Sequence, residues 1–214
     1  MKLYYSPGSC SLSPHIALRE AGLDFELIRV DTKTHTWGAG NNYYDINPLG
    51  YVPALETADG NIFREGVTLI QYIADLAPDA GLAPASGTLA RYRLEEWLVF
   101  FNSEIHKAFI PLFYSEHGGA YINIAREKLL SRFAWLDQQL ADKAFITGAQ
   151  FSIADGYLFA LVGWAQAEWL ISVYNLDIDL TDYKNIAAWY QRVLARPAVR
   201  QALKEEGIDF LPLI

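Results

Sequence analysis

The chain has 214 residues, 52% hydrophobic and 14% aromatic. That is enough apolar side chain for one large or two small well-packed domains and too much for a disordered polypeptide. A formal charge of -8 argues against nucleic acid as a partner, because phosphate backbones select basic surfaces. Its single cysteine, Cys10, leaves no internal disulfide and points to a reducing cytoplasm.

Leu3, Tyr4 and Tyr5 form strands readily, and Ser6-Pro7-Gly8-Ser9 is turn chemistry. No hydrophobic leader is expected, since Pro7 follows too soon. Pro14 lacks an N–H and fits only a first helical turn, so a helix begins near Ser11 to Ser13 and stops at Gly22. Phe25 to Val30 alternates as a strand. Asp31 to Asn47 reads as loop with a short helix. Residues 53–57 and 61–64 flank Ala58-Asp59-Gly60 as a hairpin, and Gly66 to Ala77 closes the unit with a helix. The order β-α-β then β-β-α predicts a mixed sheet covered by helices over residues 1–77.

Pro78 to Gly87 is a Pro/Gly/Ala linker, and residues 88–214 read as all helix. Leu89 to Ser115 is expected as one helix bent by Pro111. Gly118-Gly119 breaks the chain before a helix over Tyr121 to Ala141. Ser152 and Asp155 have capping-box spacing, further helices cover Ile186 to Ala195 and begin at Pro197, and no strand is expected. Gln166 and Glu168 interrupt the most apolar stretch, Tyr157 to Tyr174, which reads as a buried helix rather than a membrane span.

Cys10 therefore sits at the lip of a strand-to-helix turn. Two readings stand there. Unpaired amides and the helix dipole can depress a thiol pKa from about 8.5 toward roughly 3.5–7.5, or the residue can be a small buried hydrophobe. A helical histidine such as His106 is usually just satisfied or solvated. At an α-helical period, however, Val99, Ser103, His106 and Ile110 share one stripe, and its mixed character suits a pocket wall. Glu65 is either a helix cap or a partner for a cation. The histidines His15, His35, His106 and His117 show no metal-ligand spacing, and no metal is expected.

Five stretches together resemble the bacterial beta-class glutathione S-transferases over essentially the whole chain: Ser9-Cys10-Ser11, Asn47 to Leu55 (NPLGYVPAL), Glu65-Gly66, Ser103 to Lys107 (SEIHK) and Ser152 to Asp155. The resemblance implies an α/β thioredoxin-like domain, an all-α domain, a homodimer, and glutathione as co-substrate at the domain boundary with no further cofactor. It implies catalytic roles for Cys10 and His106. Val52, before a cis-proline turn, would pair with the peptide backbone of glutathione. Glu65 and Gly66 would hold its γ-glutamyl end, and Ser103, Glu104 and Lys107 would position the peptide. His35 stands where a lysine is expected for the glycine carboxylate, Val99 where an asparagine is expected, and Gly156 where a staple partner for Phe151 is expected, leaving Phe151 to pack on Tyr157. The implied activity is conjugation of the glutathione thiol to hydrophobic electrophiles, with thiol transfer through Cys10 as a second activity. Phe109, Phe113, Tyr157 and Trp164 are candidates for the acceptor pocket. The rival reading is a non-catalytic binding module on the same fold.

Overall fold

The computed structural model describes residues 1–174, 176 and 178–208, so the last six residues of the expected helical domain lie outside it. Six strands form one sheet: β1 (Lys2–Tyr5), β2 (Glu26–Asp31), β3 (Thr36–Trp37), β4 (Asn41–Asn42), β5 (Ala54–Glu56) and β6 (Ile62–Arg64). Their spatial order is β4-β3-β2-β1-β5-β6. β1 and β2 run parallel, Leu3 opposite Leu27, because helix α1 (Leu12–Glu20) makes the crossover. All other pairings are antiparallel. The hairpin forms as its turn residues require, Leu55 opposite Phe63, with Gly60 at φ +82°. The expected loop over 31–47 contains the two-residue strands β3 and β4 and a 3₁₀ turn at Tyr43–Asp45. Strands that short carry no period for a sequence to reveal.

Helix α2 (Gly66–Leu76) closes this half of the molecule. A continuous helical run then begins with α3 (Leu89–Phe100), widens into a π-helical segment at Phe101–His106, and resumes as α4 (Lys107–Phe113). Pro111 lies inside α4, so the departure from α geometry falls just N-terminal to the expected bend. The short α5 (Ser115–Gly118) ends at Gly119, φ +51°, ahead of α6 (Tyr121–Leu140). Next come α7 (Ile153–Gln166), α8 (Glu168–Tyr174), α9 (Lys184–Leu194) and α10 (Pro197–Glu206). Among the described residues there is no strand after β6, only an isolated bridge between Phe145 and Gly148.

α7 is the axle of the helical half. Residues Ile153 to Ala165 are buried on every face, as expected of a helix surrounded by others. Among the described residues no helix is long and apolar enough to cross a membrane. Asp155 anchors the start of α7: its carboxylate accepts the Ser152 N–H and Oγ–H at 2.9 Å, the Ile146 N–H at 2.8 Å and the Trp189 indole N–H at 2.9 Å. Gly156 lets α1 approach, since a Cβ there would stand 3.3 Å from Ile16 Cγ2. Phe151 packs not on Tyr157 but edge-to-face on Phe145 at 5.8 Å, with the Arg196 guanidinium 4.2 Å from its ring centre.

Candidate active site

A cavity of about 290 Å³ is lined by Cys10, Tyr51, Val52, Pro53, Glu65, Gly66, Asn102, His106, Lys107, Ile110 and Tyr157. Cys10, Val52, Glu65, Gly66, His106 and Lys107, six of the nine predicted site residues, thus meet in one hollow from widely separated parts of the chain. A larger hollow of about 680 Å³, beside Trp97 and Lys143, contains none of the nine.

The wall opposite the helices comes from NPLGYVPAL. Asn47, fully buried, bridges the turn by accepting the Leu49 N–H at 3.1 Å and donating to the Tyr51 carbonyl at 2.6 Å. Gly50 sits at φ +78°, and a Cβ there would lie 2.8 Å from Tyr44 Cε1. The Val52–Pro53 bond is cis. Glu65 adopts φ +68° and its side chain makes no cap hydrogen bond to α2, so the capping alternative falls away. A non-glycine residue held at positive φ costs about 1–3 kcal/mol and clusters at binding sites. Here the conformation puts Glu65 in the cavity wall at the start of α2.

Cys10 is where the sequence places it, but its electrostatics differ. The amides of the helix start are already spent: Ser11 N–H goes to Ser9 Oγ at 3.2 Å, Leu12 N–H to the Ser9 carbonyl at 3.0 Å, Ser13 N–H to the Cys10 carbonyl at 3.2 Å and His15 N–H to the Ser11 carbonyl at 3.3 Å. Pro14 has none. Burial therefore pushes the thiol up to about 11, against smaller lowering effects of its own N–H and Lys107. Its S–H donates weakly to the Val52 carbonyl at 3.5 Å.

The turn ahead of Cys10 is clamped from the far end of the chain. Gly8 N–H donates to Glu206 at 3.0 Å, and the Gly8 carbonyl accepts the Trp164 indole N–H at 2.8 Å. Glu206 also holds His15 Nδ1 at 2.9 Å, while His15 Nε2 meets Glu205 at 2.8 Å and Arg19 grips Glu205 through two nitrogens at 2.8 and 2.9 Å.

The π-helical segment explains one sequence error. A π turn holds one more residue than an α turn, so the face that Val99 and Ser103 would share with His106 is taken by their predecessors. Leu98 is buried and Asn102 lines the cavity, whereas Val99 and Ser103 are exposed. Ser103 Oγ donates back to the Val99 carbonyl at 3.0 Å. Glu104 is held away from the cavity by Arg132 at 2.9 Å and Lys128 at 3.3 Å, which keep its carboxyl below the usual range. His35 also lies outside the lining. Its Nδ1 bonds the Gly50 carbonyl at 2.9 Å and its ring centre lies 4.6 Å from that of Tyr44.

His106 lines the cavity with Nδ1 2.7 Å from the Tyr157 hydroxyl, which donates to Asn102 Oδ1 at 3.2 Å. Burial, then Lys107, lowers its pKa to about 4, so the ring is neutral at pH 7. Sequence reasoning missed Asn102 altogether, because an α-helical period assigns it to another face. Of the four aromatic candidates, Tyr157 lines the cavity. Phe109 is fully buried and packs with Phe113 and Trp164 behind it, at 6.1 and 5.4 Å between ring centres. Among the described residues no group of three or more His, Cys, Asp or Glu could hold a metal.

Residues 8–76 match the glutathione S-transferase N-terminal domain and residues 94–192 the corresponding C-terminal domain. Glutathione S-transferase GstA of Escherichia coli O157:H7 is 40% identical over 97% of this chain and 100% of its own length. The solved ternary complex of BphK, a bacterial glutathione transferase, is 45% identical at a TM-score of 0.91, covering 97% of this chain and 100% of its own. The bacterial beta-class enzyme of Sphingomonas chungbukensis is 42% identical at a TM-score of 0.89, with full coverage of both chains. The chain belongs to the glutathione S-transferase family, in its bacterial beta class. It is a transferase enzyme with a thioredoxin-like half and an all-helical half, and the non-catalytic reading is not favoured.

Proposed function

We propose that glutathione lies in the 290 Å³ cavity with its sulfur between Cys10 and His106, its peptide backbone along Val52, and its γ-glutamyl end at Glu65 and Gly66. The observation that carries this reading is the meeting of those residues and Lys107 in one hollow. The start of α2 favours a carboxylate, and the Glu65 side chain, free of capping duty, suits the ammonium. The sulfur attacks a hydrophobic electrophile at the Tyr51 and Ile110 rim. A carbon–sulfur bond forms, the thiol proton passes to solvent, and the electrophile's leaving group departs. Glutathione is the only co-substrate and no metal takes part. We place the enzyme in the cytoplasm as a homodimer acting in detoxification, and take residues 78–87 as the joint between its halves.

Disulfide exchange through Cys10 is the second reading, favoured by a sulfur in the cavity wall. The raised thiol pKa slows this exchange at neutral pH, because the thiolate is the nucleophile. Conjugation of glutathione to an aryl halide tests the first reading. His106→Ala should lower it at least about tenfold, as expected for loss of a group that meets the reacting sulfur, and an unchanged rate removes His106 from the chemistry. Mass spectrometry after incubation with oxidised glutathione tests the second: Cys10→Ala should abolish any adduct, and wild type that gains none defeats that reading. Light scattering that returns a mass near 24.1 kDa would overturn the dimer.

A further inference from the structure

The three side chains Asn102, Tyr157 and His106 form a line into the cavity wall, and counting their protons decides what His106 offers. Tyr157 has one hydroxyl proton, and Asn102 Oδ1, 3.2 Å away, receives it. The hydroxyl oxygen can then only accept from His106, whose Nδ1 stands 2.7 Å off, so that nitrogen must carry the hydrogen. Burial and Lys107 keep the ring neutral at pH 7, which allows one ring hydrogen. Nε2 is left bare, without a hydrogen-bond partner among the described residues.

We propose that Asn102 and Tyr157 are positioning residues that hold His106 as its Nδ1–H tautomer, so that it meets the sulfur of glutathione as a hydrogen-bond acceptor through Nε2. The functional half of this inference rests on the placement of glutathione proposed above; the tautomer does not. The opposite tautomer would present an N–H, which pairs best with a thiolate already formed and cannot receive the thiol's own hydrogen. As an acceptor, His106 instead receives the thiol's own S–H and fixes the direction of the sulfur lone pairs. When the carbon–sulfur bond forms, the S–H bond breaks and its proton passes by way of Nε2 to solvent, while Nδ1–H stays on Tyr157. The π-helical segment is part of the device, because it puts Asn102 beside His106 in the cavity wall. Burial, then the neighbouring Cys10, raises the pKa of the Tyr157 hydroxyl, so it keeps the one proton that the line needs.

The experiment is long-range proton–nitrogen NMR of the full-length protein labelled with ¹⁵N-histidine, with His106 assigned by its loss in His106→Ala. Wild type should show the Nδ1–H pattern at pH 7. Asn102→Leu removes the acceptor of the tyrosine proton. The hydroxyl then turns to Nδ1, the pattern should switch to Nε2–H, and kcat for conjugation should fall about tenfold with little change in KM for glutathione. Asn102→Asp restores an acceptor and should restore both the Nδ1–H pattern and most of the rate. An Nε2–H pattern in wild type, or a tautomer unmoved in Asn102→Leu, overturns the proposal. Conjugation unaffected in His106→Ala would instead remove the proposed role of His106 and leave the tautomer result standing, so the two failures are distinguishable.

Discussion

The two stretches that bring Cys10 and His106 to the cavity are held in opposite ways. The turn before Cys10 is short and locally well formed, yet its Gly8 peptide is fixed by Glu206 and Trp164, which come from distant helices. His106 sits in the middle of a long helix and owes its place in the cavity wall to a local irregularity, the π-helical segment at Phe101–His106, while the Tyr157 hydroxyl of α7 directs its ring. The backbone of the first stretch is set by distant side chains, that of the second by its own winding. A substitution can therefore displace the first backbone from far away, while the second backbone is sensitive chiefly to its own turn.

The sharpest way to break that contrast is Glu206→Ala. It removes the buried hydrogen-bond partner of both His15 and the Gly8 N–H, and a buried polar group left unpaired costs about 1–3 kcal/mol. Denaturant unfolding should show that loss, although the change is remote in sequence from Cys10. A loss under about 1 kcal/mol would mean that the turn holds itself.

A second measurement sharpens the electrostatic side. With its thiol pushed up to about 11, Cys10 in the glutathione-free protein should react with iodoacetamide about tenfold faster for each pH unit between 7 and 10, because only the thiolate reacts. A rate that levels off below pH 9 would show that the helix start stabilises the thiolate after all.

The smallest expected effect lies on the helix. Ser103→Ala loses only an exposed bond back to the Val99 carbonyl, so stability should stay within about 0.5 kcal/mol and KM for glutathione within about twofold. A much larger rise in KM would return Ser103 to the site and discredit the π-helical face.

These cases mark what the sequence could and could not tell. The cysteine turn, the hairpin at Ala58-Asp59-Gly60, the Gly118-Gly119 break and the start of α7 at Ser152 were legible because turn and cap chemistry is local. Cys10, Val52, Glu65, Gly66, His106 and Lys107 were legible as a set through the order of their motifs, and the structure lines one cavity with them. The raised thiol pKa was not, since whether a first-turn amide is free depends on hydrogen bonds that position alone does not reveal. Asn102 was hidden for a different reason. Any stripe drawn at 3.6 residues per turn presumes an unbroken α-helix, and one widened turn shifts Ser103 and Val99 outward together. His35 could not be placed from sequence, because its bond to the Gly50 carbonyl depends on how two loops meet.

The grip on Gly8 also decides what can be exchanged between relatives. Its two side-chain partners lie 198 and 156 positions away in the chain, so the cysteine-bearing half is not a portable module despite its self-contained sheet. A hybrid that joins residues 1–77 to another relative's helices inherits the cysteine. It inherits the cysteine's setting only when the donated half brings a carboxylate to the place of Glu206 and an indole to the place of Trp164.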